Sequence, residues 1–239
     1  MKGSFTTSAE KLAAVRQELA EQGLDGMLLT RTDRFQGEEV RGQDEYLAWL
    51  TGFTGSAGVA LILADTAVVA TDSRYTVQIK QQVDPALYQT IDTADQSLAA
   101  WLAACPGEVG VKIGFDSWSV TCEGQKKLPA VLGKADVIWQ PVSAHPVAAV
   151  WVDRQASAQT DIFTVDEVYA GFTAVEKIKQ ATDELKDSQL DLRFISAPDV
   201  MMWLTNLRGR DLCFTPVHLC FGILSATGQL TFVTDNSQI

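Results

Sequence analysis

Apolar and polar positions along this chain follow two periods, and the changes between them outline its elements. Leu12, Val15 and Leu19 recur at helical spacing, which puts three apolar side chains on one stripe. Thr7 and Glu10 stand where a capping box would start that helix, and Gly23 where a left-handed residue would end it. Met27 to Thr30 reads as a short buried strand. Gln43 to Phe53 reads as a helix with Tyr46, Leu47 and Leu50 on one face. The apolar runs Val59–Leu63 and Ala67–Thr71 are separated only by Ala64-Asp65-Thr66, which predicts a hairpin. Asp72-Ser73 then caps a predicted helix from Arg74 to about Gln82. Strands over 88–91, 111–115 and 137–139 alternate with helices over 95–104 and 121–132. This order predicts an α/β fold, a mixed sheet flanked by helices.

The pattern is then stated a second time. Thr7-x-x-Glu10-Lys11-Leu12 matches Thr173-x-x-Glu176-Lys177-Ile178 at an offset of 166 residues (173 − 7), and Glu18-Leu19 and Leu24-Asp25 match Glu184-Leu185 and Leu190-Asp191 at the same offset. Tyr46–Thr51 matches Val200–Thr205 at an offset of 154 (203 − 49), so 12 residues (166 − 154) around Arg31 to Gln43 have no counterpart. So long a period indicates two copies of one α/β domain and not a solenoid. The second copy yields a helix over 174–187, a strand over 192–196, a helix over 198–207 and a hairpin from Leu219–Leu224 with Gln229–Thr234, and nothing beyond. Between Pro141 and Val165 the periodicity weakens, and Pro141, His145, Pro146 and the polar run Asp153–Asp161 read as connecting chain with His145 exposed. The expected organisation is a first domain over 1–150, a linker over 151–165, and the first half of a second, related domain over 166–239. The second copy is therefore expected to be incomplete and the chain to be a piece of something longer.

Composition narrows the function classes. The 46% apolar and 21% charged fractions are those of an ordinary globular protein. A net charge of −11 argues against nucleic acid or an anionic membrane as partner. No signal-peptide core follows Met1-Lys2-Gly3-Ser4-Phe5, and no apolar stretch is long enough to span a bilayer, so a cytoplasmic protein is expected. Cys105, Cys122, Cys213 and Cys220 form no C-x-x-C and are expected to be free thiols, mostly buried.

Few residues suggest chemistry. Gly52-Phe53-Thr54-Gly55-Ser56-Ala57-Gly58 lies between a helix and a strand with no following lysine. That is the wrong order for a phosphate loop, so the glycines are expected to supply positive φ and close approach at a turn. The acidic cluster Asp33, Glu38, Glu39, Asp44 and Glu45 lacks the EF-hand pattern and reads as a solvated loop. His145 and His218 are the two histidines, and His218 is expected to be packed and not a base. Asn206-Leu207-Arg208-Gly209-Arg210-Asp211 gathers polar groups after an apolar helix. It reads either as a helix end, with Arg208 at the negative dipole and Gly209 left-handed, or as an Arg/Asp pair facing a cleft.

Glu10-Lys11-Leu12, Asp44-Glu45-x-x-x-Trp49-Leu50-Thr51-Gly52-Phe53-Thr54-Gly55-Ser56-Ala57-Gly58, Thr71-Asp72-Ser73-Arg74-Tyr75, Trp203-Leu204-x-Asn206-Leu207-Arg208-Gly209-x-Asp211 and Pro216-Val217 resemble the N-terminal part of three-domain Xaa-Pro aminopeptidases, the creatinase/prolidase-like N-terminal domains. The resemblance runs in order along essentially the whole chain. Ser73 stands where the family usually has glycine, and Arg210 and Cys213 also depart from its pattern. The resemblance implies two related α/β domains followed by a metallopeptidase domain with two divalent ions, usually manganese. It implies that this portion carries no catalytic residue, no metal ligand and no cofactor. The Asp-x10-Asp pairs Asp33/Asp44 and Asp84/Asp95 lie on predicted loops and are assigned no metal. The parent would release an N-terminal residue preceding proline from peptides and form a homodimer. This portion would shape access to the active site and help the dimer form, with Asn206, Arg208 and Asp211 as cleft-facing candidates. The alternative is a non-catalytic peptidase-like binding module, similar to the one in the large subunit of the FACT histone chaperone.

Overall fold

The computed structural model describes residues 5–105, 110–131, 137–155 and 160–234. It divides into two compact units, Met1–Arg34 with Gly42–Gln155, and Phe35–Arg41 with Ala156–Ile239.

In the first unit α1 (Ser8–Glu21) begins at a complete capping box, with Thr7 Oγ1 accepting from Glu10 N and the Glu10 carboxylate from Thr7 N. It buries Leu12, Val15 and Leu19, and the chain reverses at Gly23, φ +69°. β1 (Gly26–Thr30) follows, then a 3-10 turn over Gly42–Asp44 and α2 (Tyr46–Thr51), which stops at the left-handed Gly52. β2 (Val59–Leu63) and β3 (Ala67–Thr71) form the expected hairpin. Asp72 caps a 3-10 turn over Ser73–Tyr75, ahead of α3 (Thr76–Gln82). β4 (Gln89–Asp92), α4 (Leu98–Ala104), β5 (Val111–Phe115), α5 (Cys122–Val131), β6 (Val137–Pro141) and α6 (Pro146–Val150) complete the unit.

The sheet order is β4-β3-β2-β1-β5-β6, antiparallel through the hairpin and parallel at β1–β5, β5–β6 and β3–β4. Alternation along the strands splits the core. Met27, Leu29, Ala60, Ile62 and Val69 face α1, α2 and α6, while Leu28, Leu61, Val68 and Ala70 pack with Trp101, Leu102 and Leu128 from α4 and α5. A one-residue slip in any central strand would exchange these two sets.

His145 departs from its expected exposure. It caps α6, with Nδ1 accepting from Ala148 N at 3.3 Å, and stacks on Tyr46 at 4.0 Å. Pro146 at the first helical position and the buried Val147 and Val150 draw this segment onto the core, which short-range periodicity does not reveal. Burial, helped by the nearby Arg154 charge, brings the imidazole pKa down to about 4, so it is neutral at pH 7. Two of the four cysteines, Cys122 and Cys213, are exposed and not buried as expected, and all four are free thiols.

The second unit contains β7 (Phe163–Thr164), α7 (Glu167–Ala170), α8 (Ala174–Asp187), β8 (Leu192–Ile195), α9 (Pro198–Thr205), β9 (Leu207–Arg208), β10 (Phe221–Ser225) and β11 (Leu230–Val233). β11-β10-β8 is an antiparallel sheet, and β7 pairs with β9. Leu185, Ile195, Met201, Met202, Leu204, Leu219 and Leu224 form its core.

The two units repeat one fold in detail. α1 and α8 have equal length, and each carries a full capping box. Gly23 and Gln189 (23 + 166) are both left-handed, at φ +69° and +55°. Gly52 and Asn206 (52 + 154) both end a helix in the left-handed region. Thr51 and Thr205 each donate to the carbonyl four residues back, both at 2.7 Å. Lys11 Nζ donates to Trp49 O at 3.0 Å and lies 4.9 Å from the Trp49 ring. Lys177 Nζ donates to Trp203 O at 2.9 Å and lies 4.7 Å from the Trp203 ring. The hairpin of the second unit carries one extra turn residue, accommodated by Gly228 at φ +88°.

The second lysine has more to lose. Lys177 is 3% exposed and also donates to Asn206 Oδ1 at 2.6 Å, whereas Lys11 is only half-buried. Lys177→Met is expected to cost the second unit about 3 kcal/mol, since it strands one buried and one part-buried acceptor, and Lys11→Met to cost the first about 1 kcal/mol. Denaturant unfolding read by hydrogen exchange separates the two units; equal losses would show that the ties do not differ in weight.

Candidate functional site

The polar segment after α9 is built around its first residue. Asn206 takes the left-handed cap at φ +56°, so the reading of Gly209 as that residue is corrected. An Asn side chain is tolerated there because it bonds locally. Its Oδ1 accepts from Lys177, and its Nδ2 donates to Phe172 O at 2.9 Å. Gly209 serves another purpose: a Cβ on it would stand 2.6 Å from His218 N, so glycine allows two strands of loop to close on each other.

Arg208 lies on β9, paired with Phe163. Its Nη1 donates to Met202 O at 2.9 Å and Leu207 O at 2.7 Å. The guanidinium thus satisfies a carbonyl in the last turn of α9, where the helix dipole also favours a cation.

Asp211 faces His218, and no Arg208–Asp211 ion pair is found among the described residues. His218 Nδ1 lies 3.0 Å from Asp211 Oδ2, Leu219 N donates to the same oxygen at 2.7 Å, and Thr160 Oγ1 donates to Oδ1. His218 Nε2 and Thr234 Oγ1 are 2.8 Å apart. Burial pushes the Asp211 carboxyl up, but bonds from His218, Thr160 and Leu219 together with the His218 charge outweigh it and hold its pKa at about 2. His218 is 1% exposed, the packed residue its sequence context predicts.

The next turn is held by a residue that sequence reasoning set aside. Glu39 Oε1 accepts from Cys213 N at 2.7 Å and Phe214 N at 3.1 Å, and Oε2 from Thr215 Oγ1 at 3.0 Å. This carboxylate fixes a turn whose Phe214 is 93% exposed. The acidic stretch is therefore not simply solvated, which corrects that expectation. Asp33 is buried, Glu45 pairs with Arg31 at 2.6 Å, and Glu39 is a clamp. Phe35–Arg41, within the stretch that lacks a counterpart in the repeat, folds as part of the second unit. That absence was the available signal.

The glycine string is structural. Gly52 ends α2 at φ +83°, and Gly55 and Gly58 lie against the buried Phe53 ring, 2.3 and 2.7 Å from where their Cβ atoms would stand. Thr54 N donates to Gln82 Oε1, and Ser56 Oγ bonds the Tyr75 hydroxyl at 2.6 Å.

A cavity of about 330 Å³ opens at the C-terminal ends of β1, β5 and β6, lined among others by Asp33, Asp44, Tyr46, Asp116, Trp118 and His145. Burial raises the Asp116 carboxyl and the Tyr46 hydroxyl above their ordinary values. Among the described residues no three His, Cys, Asp or Glu side chains gather where they could hold a metal ion. Asp84 caps a turn at Ala86 N. No helix among the described residues is long and apolar enough to cross a membrane.

Comparison with known proteins gives a consistent result. Residues 11–149 match the family model described as Creatinase/Prolidase N-terminal domain, and 153–239 match a second model of the same description. The chain is 30% identical over 214 residues to Xaa-Pro aminopeptidase ApepP of Drosophila melanogaster, covering 88% of this chain and 35% of that protein. It is 28% identical over 227 residues to Xaa-Pro aminopeptidase 2 of Sus scrofa, covering 93% of this chain and 33% of that one. The chain thus spans about a third of these relatives. Its fold matches the X-prolyl aminopeptidase of Caenorhabditis elegans, described as a cytosolic enzyme with a di-nuclear active site, at a TM-score of 0.89 and 24% identity, over 98% of this chain and 40% of that one.

The Asp211 geometry makes a pH-dependent prediction. A carboxyl with its pKa lowered to about 2 from 3.8 gives stability that is present above pH 3.8 and lost as pH falls through about 2. Asp211→Asn is expected to destabilise the second unit by about 2 kcal/mol at pH 7 and to flatten this acid dependence. Thermal melts from pH 7 to pH 2 check it; an unchanged acid profile would remove Asp211 as its source.

Proposed function

Because the chain belongs to the creatinase/prolidase N-terminal domain family, we propose that it is the non-catalytic N-terminal portion of a metal-dependent Xaa-Pro aminopeptidase. The observation that carries this reading is order: both N-terminal domain models match in sequence along nearly the whole chain, while relatives bearing the aminopeptidase name extend to about three times its length. The parent then hydrolyses the bond between an N-terminal residue and proline in a cytoplasmic, homodimeric protein. Two divalent ions, manganese in this reading, would polarise the scissile carbonyl and supply hydroxide, and they would sit outside this portion.

What this portion contributes is shape. A metallopeptidase that accepts only chain ends must exclude internal peptide from its centre, and rigid elements beside the cleft do this without touching the reacting atoms. The segment from Asn206 to Asp211 is the proposed cleft-side element. Its support is the density of its bonding: Lys177, Arg208, Asp211 and His218 anchor it, and Glu39 fixes the turn beyond. In this reading the side chains hold the loop in place and bind no substrate themselves.

Two measurements follow. The purified 239-residue chain is expected to release no N-terminal residue from an Xaa-Pro peptide, with or without manganese. Metal-dependent turnover proportional to its concentration would sink the proposal. In the full-length parent, Arg208→Ala is expected to lower kcat/KM per folded molecule by about tenfold, or roughly 1.4 kcal/mol of transition-state stabilisation. A loss under about threefold would leave Arg208 as a helix-end residue only.

A further inference from the structure

The sheet of the first unit leaves a crevice at one end. β1 and β5 are neighbours and run parallel. The chain leaving β1 reaches α2, whose Leu47 and Leu50 pack on one sheet face with Met27 and Leu29. The chain leaving β5 reaches α5, whose Leu128 packs on the other face with Leu28 and Phe115. Adjacent strands whose outgoing chains part to opposite faces leave the space beyond their carboxyl ends uncovered, and open α/β sheets bind ligands there. The cavity of about 330 Å³ occupies this position, and every residue lining it belongs to the first unit. Its volume is at the lower end of those that hold small molecules.

The lining favours a cation over an anion. Among the described lining residues three are aspartates, Asp33, Asp44 and Asp116, and one is an arginine, Arg34. His145 adds no charge at pH 7, since burial holds its pKa at about 4. Asp116 directly follows β5. Its Oδ1 accepts from Trp118 N at 3.0 Å, and no bond to its other carboxylate oxygen is found among the described residues. Burial raises this carboxyl above its ordinary value, as for a charge short of solvation. Trp118 is 60% exposed, and the Arg34 guanidinium lies 5.7 Å from its ring, so this indole takes a cation on its face. Tyr46 adds a second aromatic wall, stacked on His145, with its hydroxyl accepting from Arg154. We propose that the crevice binds a small organic ammonium ion, whose nitrogen donates to Asp116 and whose carbon skeleton lies against Trp118 and Tyr46. An inorganic cation would leave both rings unused, and no metal-holding group of side chains is found among the described residues. The inference rests on the geometry of the first unit and not on the peptidase reading, so either can fail alone.

The test is calorimetric titration of the whole chain with phenethylammonium, and with phenethyl alcohol as its neutral counterpart. Saturable one-to-one binding of the ammonium is expected, tighter than that of the alcohol by about tenfold or more, as for a hydrogen bond to a charged group. Asp116→Asn keeps the oxygen that Trp118 N bonds. It is expected to weaken binding by about tenfold or more with the melting temperature in place. Phe214→Ala, an exposed change in the second unit, is expected to leave binding unaltered. The ammonium needs an ionised partner, so affinity should fall on acidification at a higher pH than an aspartate of ordinary pKa 3.8 would give. Phenylalanyl-glycinamide distinguishes two sources of the ammonium: equal binding assigns a peptide amino terminus, and binding of phenethylammonium alone assigns a free amine. Equal affinity for phenethylammonium and phenethyl alcohol would overturn the proposal. So would unaltered binding by Asp116→Asn, or no saturable heat at millimolar ligand.

Discussion

Each unit ties two of its helices together through one ammonium group. A helix that stops beneath a layer of helices leaves its last carbonyls short of donors, and burying them unpaired costs more than the packing returns. Lys11 and Lys177 meet this constraint in the same way. The lysine stem runs along the first helix, the ammonium bonds the carbonyl of a tryptophan in the second, and the ring of that tryptophan covers the charge. The contact joins the two helices of each pair at one equivalent point. In the second unit the ammonium takes an additional acceptor on Asn206 and is buried. The left-handed turn after α9, and the polar segment it launches, therefore hang on Lys177.

How much could be read in advance follows from the range of each signal. The capping boxes at Thr7 and Thr173, the hairpin around Asp65 and the repeat offsets are local or translational patterns, and all are legible in the residues. α6 was not legible, because its five residues carry too little periodicity and its stability comes from Val147 and Val150 meeting a distant core. The role of Gly209 is hidden from the sequence for the same reason. Its need for glycine comes from His218, nine residues on, and not from the helix behind it. Asp211 and His218 were each picked out, but their pairing was not, since nothing in the spacing distinguishes His218 from Arg208 as the partner.

The unmatched stretch in the first copy shows how a repeat acquires a difference. Phe35–Arg41 lies between elements of the first unit in sequence yet folds with the second, where Phe35 packs on Phe221 and Glu39 accepts from the 213–215 turn. An insertion confined to a solvated loop would be thermodynamically cheap and without consequence. This one substitutes a carboxylate for the solvent that would otherwise satisfy an exposed turn. Charge-assisted bonds to consecutive backbone donors are among the stronger ones available to a loop, so the turn is held more firmly than its exposure alone suggests.

That firmness bears on what the segment after α9 does. Asn206, Arg208 and Asp211 drew notice as polar groups close together, as substrate-binding groups would be. In the fold each directs its bonding inward, to Phe172 and Lys177, to Met202 and Leu207, and to Thr160, His218 and Leu219. A group whose bonds are committed to the backbone gains little by exchanging them for a ligand, because each bond broken returns the desolvation cost it had offset. In the proposed cleft-side role such groups would act through position. The surface they position is the 211–215 turn, with Phe214 outermost at 93% exposure. An aromatic ring on a backbone already held by hydrogen bonds loses less further entropy when a partner surface meets it than one on an unbonded turn. A cleft-side role for this segment is therefore best argued through the ring that the polar groups hold in place.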